Sequence, residues 1–242
     1  MILQTSNLWL NKVAMMTDFQ AFPRAYQTVV EVCDLLDGQH EMRAWEYCMA
    51  FSAVTRWRQE QIEKATEFAK ESLPALDIGG AGSKLNRALH HFGLSSMTVD
   101  PHGERGSRFI HRITAEEAAQ SLAPVPVVTC ISVIEHVEDH VSFADALARL
   151  VQPGGLLFLT ADYHKDADSL AGIDDPWHFN WMRKRIYGPE RWWWLHDHFR
   201  LNWGFKTFGE VCSWSFRQDW EDWEPTVYDY GFASMALVKE TA

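Results

Sequence analysis

A chain of 242 residues, 47% of them apolar, is long enough to bury a substantial core and too apolar to be disordered. No apolar run approaches the about 20 residues that a membrane-spanning helix needs, and the longest, residues 125–134, is interrupted by Pro126, Thr129 and Ser132. A net charge of −11 repels phosphate backbones and disfavours nucleic acid as a partner; the one basic cluster, Arg183, Lys184 and Arg185 with Arg191 nearby, reads as a solvated helix face.

The first segment reads as helical. Residues 43–70 contain no Gly or Pro, and Trp45, Met49, Val54, Trp57, Ile62, Ala65 and Ala69 recur at roughly helical spacing. Asp37-Gly38 marks a turn before this helix and Pro74 stops it. Residues 1–73 are therefore expected to form an N-terminal helical extension or lid on a domain spanning 74–242. Residues 1–20 lack a basic stretch followed by an apolar one, so no signal peptide is expected. The four cysteines are scattered without a CxxC pair, which fits a reducing, cytoplasmic setting and neither a zinc knuckle nor a disulfide framework.

From residue 75 the pattern alternates strand and helix. A strand at 75–78 runs into Gly79-Gly80-Ala81-Gly82. A helix at 84–92 places Leu85, Ala88, Leu89 and Phe92 on one face and ends at Gly93. Strands at 97–99, closed by Asp100-Pro101, and at 108–113 are followed by a short helix at 115–122 and a fourth strand at 125–134. A helix at 141–151 turns Phe143, Leu147, Leu150 and Val151 inward and ends at Pro153-Gly154-Gly155, and residues 156–160 form the fifth strand. The final strand is expected at 232–238, with 211–216 as its candidate neighbour. This order specifies an α/β fold with a mostly parallel sheet and right-handed crossovers, which binds ligands beyond the carboxyl ends of its strands. Residues 161–230 form an aromatic-rich insertion: of twelve tryptophans, nine lie at or beyond Trp177. Most of these read as a satellite core, and some as faces for stacking or for a homodimer.

Three local features point to chemistry. The small residues Gly79, Gly80, Ala81 and Gly82 let backbone approach a ligand at the start of a helix. Their spacing is not G-x-G-x-x-G, because Leu85 stands where the third glycine of a dinucleotide site would be. Asp100, 23 residues after Asp77, is placed to accept both hydroxyls of a ribose. Finally, Val127-Val128-Thr129-Cys130-Ile131-Ser132-Val133-Ile134-Glu135-His136-Val137 is followed, one helix later, by Pro153-Gly154-Gly155.

On these motifs the sequence resembles the class I S-adenosylmethionine-dependent methyltransferases, nearest to the small-molecule branch that includes the ubiquinone-pathway O-methyltransferases. Their pattern is D-x-G-x-G-x-G, an acidic residue after strand two, an apolar strand ending in E-H-V, and P-G-G before strand five. The resemblance covers residues 75–161. It implies a Rossmann-like, doubly wound, seven-stranded sheet and S-adenosylmethionine as cofactor. It also implies that Asp77 and Gly79, with Gly80 and Ala81 in the same turn, lie under the methionine part. Asp100 holds the ribose, Thr114 and Ala115 border the adenine, Ile131 offers backbone to the sulfonium end, and Arg43 closes over the carboxylate. Ala81 and Ser83 replace the second and third family glycines, each directly preceded by a glycine, Gly80 and Gly82.

The expected acceptor is a small molecule or a sugar, methylated at oxygen. An oxygen acceptor needs a base with a pKa near the working pH. The candidates at the ends of strands four and five are His164, His136 and Asp162. The stretch His164, Asp166, Asp168, Asp174, Asp175 and His178 reads as a solvated loop and not as a metal site, and His196-Asp197-His198 is equally unspecific. Ala161-Asp162-Tyr163-His164 lacks the N-P-P-Y type of motif of enzymes that methylate nucleic acid bases. Two alternatives stay open: an NAD(P)-dependent oxidoreductase on a similar sheet, and a non-catalytic interaction module of the methyltransferase fold.

Overall fold

The computed structural model describes residues 41–69, 72–80, 85–91, 93–103, 110–163, 187–208, 212–216 and 230–241. The expected Asp37-Gly38 turn lies outside them. Helix α1 (Glu41–Glu63) is shorter than the predicted 43–70. It stops where Thr66 competes for backbone and side-chain partners: its hydroxyl donates to Gln61 Oε1 at 2.9 Å and accepts from the Phe68 N–H at 3.2 Å. Ala65 takes φ +50 there, and a 3-10 turn (Glu67–Ala69) follows.

The remaining elements, numbered along the described residues, are β1 (Leu73–Ile78), α2 (Leu85–His91), β2 (Leu94–Val99), β3 (Ile110–His111), α3 (Ala115–Ser121), β4 (Val125–Ile131), α4 (His140–Leu150), β5 (Val151–Tyr163), α5 (Pro189–Trp203), β6 (Phe205–Thr207), β7 (Cys212–Phe216) and β8 (Tyr230–Lys239). The strands form one sheet in the order β3-β2-β1-β4-β5-β8-β6, with β7 also on β8. The first five are parallel. β8 is antiparallel to β5 along one edge, so β6 and β7 share its other edge as two halves of an interrupted strand. The sheet therefore has seven strand positions, and the expected pairing of 211–216 with the last strand is present.

Period-two alternation sorts the strands onto two cores. Ala75, Val127, Leu156 and Phe158 face α1 and α2. Leu76, Val128, Leu157 and Leu159 face α3, α4 and α5. This is the doubly wound arrangement that the family resemblance implied. Among the described residues no helix is long and apolar enough to cross a membrane.

Several strand boundaries differ from expectation, and three of them have a local cause. β4 ends at Ile131 and not at residue 134, because Ser132 adopts φ +48 and Ile134–His136 form a 3-10 turn. β2 begins at Leu94 rather than 97, the polar Ser95 and Ser96 having masked its start. β5 begins at Val151, ahead of the glycines: the register passes from Val125↔Val151 to Val127↔Leu156, so two steps on β4 oppose five on β5 and Pro153-Gly154-Gly155 is accommodated in a bulge. Gly154 sits at φ +79, and a Cβ there would lie 2.8 Å from the Phe68 ring.

Helix α1 is fastened along β5. Trp57, fully buried, donates from Nε1 to the Gly154 carbonyl at 3.1 Å and packs on Phe68 with ring centroids 5.5 Å apart. Eleven residues earlier, Glu46 reaches Thr160. The helix thus runs antiparallel to β5, with its N-terminal part at the carboxyl edge of the sheet. Replacing Trp57 by Ala should cost about 3–5 kcal/mol, and Trp57→Phe, which loses only the hydrogen bond and some volume, about 1–2 kcal/mol. Urea unfolding of both variants measures the difference, and a Trp57→Phe variant as stable as wild type would mean that the Gly154 bond contributes nothing.

Candidate functional site

The carboxyl ends of β1 and β2 lie side by side, Asp77 opposite Thr98 and Ile78 opposite Val99. Asp77 is buried, and its Oδ1 accepts from the Thr129 hydroxyl on β4 at 2.8 Å. The chain then turns sharply. Gly79 takes φ +75 and its N–H donates to the Val99 carbonyl at 2.7 Å. A Cβ on Gly79 would lie 2.3 Å from Val133, and one on Gly80 would lie 2.0 Å from Asp77 Oδ2. Both positions therefore require glycine, the first for conformation and space and the second because backbone lies against a carboxylate. At the end of β2, Asp100 is largely buried and its Oδ1 accepts from the His102 N–H at 2.8 Å, which fixes the orientation of the carboxylate.

The ends of β4 and β5 carry a second group of acids. After Ile131, Ser132 turns the chain; its N–H donates to Thr160 Oγ1 at 3.0 Å and to the Thr160 carbonyl at 3.3 Å. The Ser132 and Thr160 hydroxyls both donate to Oε1 of Glu46, which α1 brings to this point fully buried. Glu135, 1% exposed, accepts from the Asp162 N–H through Oε1 at 3.3 Å. Its Oε2 has no hydrogen-bond partner among the described residues. Burial first, then the neighbouring Asp162 and Glu46, push the Glu135 carboxyl well above the ordinary carboxylate range. Tyr187 lies against the same region: its N–H donates to the Asp162 carbonyl at 2.9 Å and its hydroxyl is hydrogen-bonded to His140 Nδ1. Burial raises the Tyr187 phenol, and burial with the Arg191 charge lowers the His140 imidazole, so both rings are held neutral.

The structure thus brings Asp77, Gly79, Gly80, Asp100 and Ile131 to one edge of the sheet, as expected of a ligand site in such a fold. Asp162 is half-buried on that edge, within the acidic group. His136 is exposed at the end of its 3-10 turn, while its neighbour Glu135 points inward. Thr114 caps α3 in a capping box: its hydroxyl accepts from the Glu117 N–H at 3.2 Å, and its N–H donates to Glu117 Oε2 at 2.9 Å. Ala115 is buried in the first turn of that helix. Arg43 belongs to α1 one turn before Glu46, and its side chain is outside the described residues. Ala81, Ser83, His164, the acidic stretch to His178 and the Arg183-Lys184-Arg185 cluster also lie outside them.

His196 and His198 do not belong to the site. They fasten α5 to Thr207 at 2.7 Å and to Asp145 at 2.8 Å, on the opposite side of the sheet from α1. Of the aromatic complement, Trp192 is buried while Trp193 and Trp194 are exposed on α5. In the sequence Glu135 stands out only as part of the E-H-V motif, and Glu46 does not stand out as a site residue. Glu46 lies in a stripe of α1 whose other buried members include Ala50, Ala53 and Trp57, and a carboxylate at a core-facing position was the available signal.

Comparison with known proteins agrees with this geometry. Among curated relatives, the ubiquinone biosynthesis O-methyltransferase of Xylella fastidiosa (strain M23) is 35% identical over 98 residues, 35% of this chain and 40% of that protein. The enzyme of the same description from Methylococcus capsulatus is 30% identical over 139 residues, 51% and 58% of the two chains. The chain therefore spans 40% to 58% of the length of these two relatives. A solved structure, phosphoethanolamine N-methyltransferase 2 of Haemonchus contortus in complex with S-adenosyl-L-methionine, superposes with a TM-score of 0.52 over 95% of this chain and 61% of its own; at 14% identity this is a likeness of fold. A family model described as a methyltransferase domain matches residues 52–222, more than half of the sequence. By that match the chain belongs to the methyltransferase domain family.

Proposed function

We propose that the chain transfers the methyl group of S-adenosylmethionine to an oxygen of a small-molecule acceptor. The observation that carries the reading is the edge formed by Asp77 and Asp100 around a glycine turn with no room for a Cβ. Such an edge fits the cofactor. A ribose diol donates to an oriented carboxylate such as Asp100, and bare backbone at Gly79 and Gly80 admits a close ligand. When bound, S-adenosylmethionine supplies an already activated methyl group on a sulfonium, so the chain has to bind and orient the acceptor about 3 Å away and in line. Ile131 and the Ser132 turn close β4 beside that region, and α1 reaches the turn through Glu46.

Oxygen as the target is supported by the curated O-methyltransferase relatives. A small acceptor is supported by the acidic charge and by Asp162-Tyr163 at the position where base-modifying enzymes carry their proline motif. The family match displaces the nicotinamide alternative. Asp162 is the base candidate that lies within the described acidic group; His164 and the exposed His136 are the other two.

Calorimetric titration with S-adenosylmethionine and S-adenosylhomocysteine tests the reading. Micromolar binding is expected. Asp100→Asn keeps an acceptor for the His102 N–H and removes the charge, so it should weaken both ligands by about tenfold or more, the worth of a hydrogen bond to a charged group. Absence of binding by the folded wild-type chain would sink the reading; binding without turnover over a broad acceptor panel would favour an interaction module.

Glu135 supplies an independent check on the electrostatics of the edge. In the native chain it keeps its proton to a higher pH than in the unfolded chain. The native state then binds more protons, and its stability falls as pH rises from the ordinary carboxylate range through the raised native value. Glu135→Gln mimics the protonated form and removes that loss. The variant should melt above wild type at pH 8, and the gap should close as pH falls towards about 4. Parallel melting curves across this window would contradict a raised native pKa.

A further inference from the structure

We propose that Glu46 is a positioning residue through which helix α1 completes the cofactor pocket, by holding the Ser132 turn at the end of β4. The proposal rests on the methyltransferase reading above.

Three observations carry it. Glu46 is 0% exposed, and its Oε1 accepts from two distant hydroxyls, that of Ser132 in the turn after β4 at a sequence separation of 86 and that of Thr160 on β5 at 114. Ser132 is one of only two non-glycine residues with positive φ among those described, and it directly follows Ile131, the last residue of β4. Thr160 Oγ1 already accepts from the Ser132 N–H, so its own proton is directed to Glu46. The network is therefore polarised in one sense: backbone N–H to threonine, threonine to glutamate, serine to glutamate. An L-residue at φ +48 persists only when its surroundings over-determine it. Here a carboxylate from a distant helix supplies the final constraint.

A packing role alone does not explain the residue. The buried positions that follow on this face of α1, Ala50, Ala53, Val54 and Trp57, are apolar as far as Gln61 in the last turn, and an apolar side chain would bury with less penalty than a carboxylate. Glu46 also lies beside Glu135 and adds to the negative field there. The network asks for an acceptor oxygen at this point, and the amide of Gln supplies the same oxygen without the charge. Glu46→Ala leaves both hydroxyls without that acceptor.

The test compares wild type, Glu46→Ala, Glu46→Gln and Trp57→Phe, the last as a control that loosens α1 away from the network. Two readouts are taken: calorimetric affinity for S-adenosylhomocysteine, and hydrogen exchange of the Ile131–Ser132 amides in the unliganded chain. Glu46→Ala should bind about tenfold more weakly and exchange faster at these amides. Glu46→Gln should recover most of both, and Trp57→Phe should lower stability without changing either. If Glu46→Ala binds and exchanges like Trp57→Phe, Glu46 only holds the helix and the proposal is overturned while the cofactor reading stands. If wild type itself binds neither S-adenosylmethionine nor S-adenosylhomocysteine, the cofactor reading falls and takes the pocket role with it.

Discussion

Thr129 donates to Asp77 across the β1–β4 seam, and this one hydrogen bond sets the edge on which the site is built. A carboxylate taken out of water takes up a proton unless hydrogen bonds favour its charged form. The threonine hydroxyl supplies such a bond from a fully buried central strand, where little can move it. The Asp77 side chain in turn occupies the space next to Gly80, so the turn after β1 is shaped by the acid that precedes it. The same device recurs two strands away, where Ser132 and Thr160 serve Glu46. In both places a threonine, which fits a pleated strand as well as valine does, doubles as a hydrogen-bond donor to a buried carboxylate.

Helix α1 reaches this edge through Glu46. Its apolar face joins the core formed by β1, β4, β5 and β8, so the segment packs as part of the same body as the sheet. Its two polar fastenings differ in kind. The Trp57–Gly154 bond ties it to the amino end of β5, where only packing is at stake, and the Glu46 network ties it to the carboxyl end, where the ligand edge lies. The first holds the helix alone, whereas the second also holds the Ser132 turn.

Much of this was legible in the sequence because local patterns and tertiary environment agree. The alternation of β1 and β4, the helical face of α4 with Phe143 and Leu147, and the glycine turn all read directly. The strand ends did not. Val133 and Ile134 look like a continuation of β4, yet Ser132 bends the chain so that they leave the sheet, a decision made by Thr160 and Glu46 from far along the chain. The start of β5 was hidden by Pro153-Gly154-Gly155, which reads as a helix stop but is absorbed in a bulge. His136 drew attention as a titratable residue in a recognisable motif, and the inward-facing partner proved to be Glu135, because a 3-10 turn of three residues buries one and exposes the next. Glu46 was legible only as a carboxylate at a core-facing position; its partners are set by topology.

β8 is the last described strand in the chain, yet it lies inside the sheet, between β5 and the β6–β7 edge. Until residue 239 has left the ribosome, β5 therefore offers an open edge through Leu156, Leu157, Phe158 and Leu159, all of them buried in the finished protein. An unpaired apolar edge of that length is a template for any other strand, including the same strand of a second nascent chain. The site half of the sheet can assemble early, since its parallel strands and crossovers are complete by β5. Protection against misassembly comes last, when Lys239 donates to the Ala148 and Val151 carbonyls at the end of α4 and locks the closing strand in register. Biosynthesis of this fold thus has a vulnerable interval whose length is set by the insertion between β5 and β8.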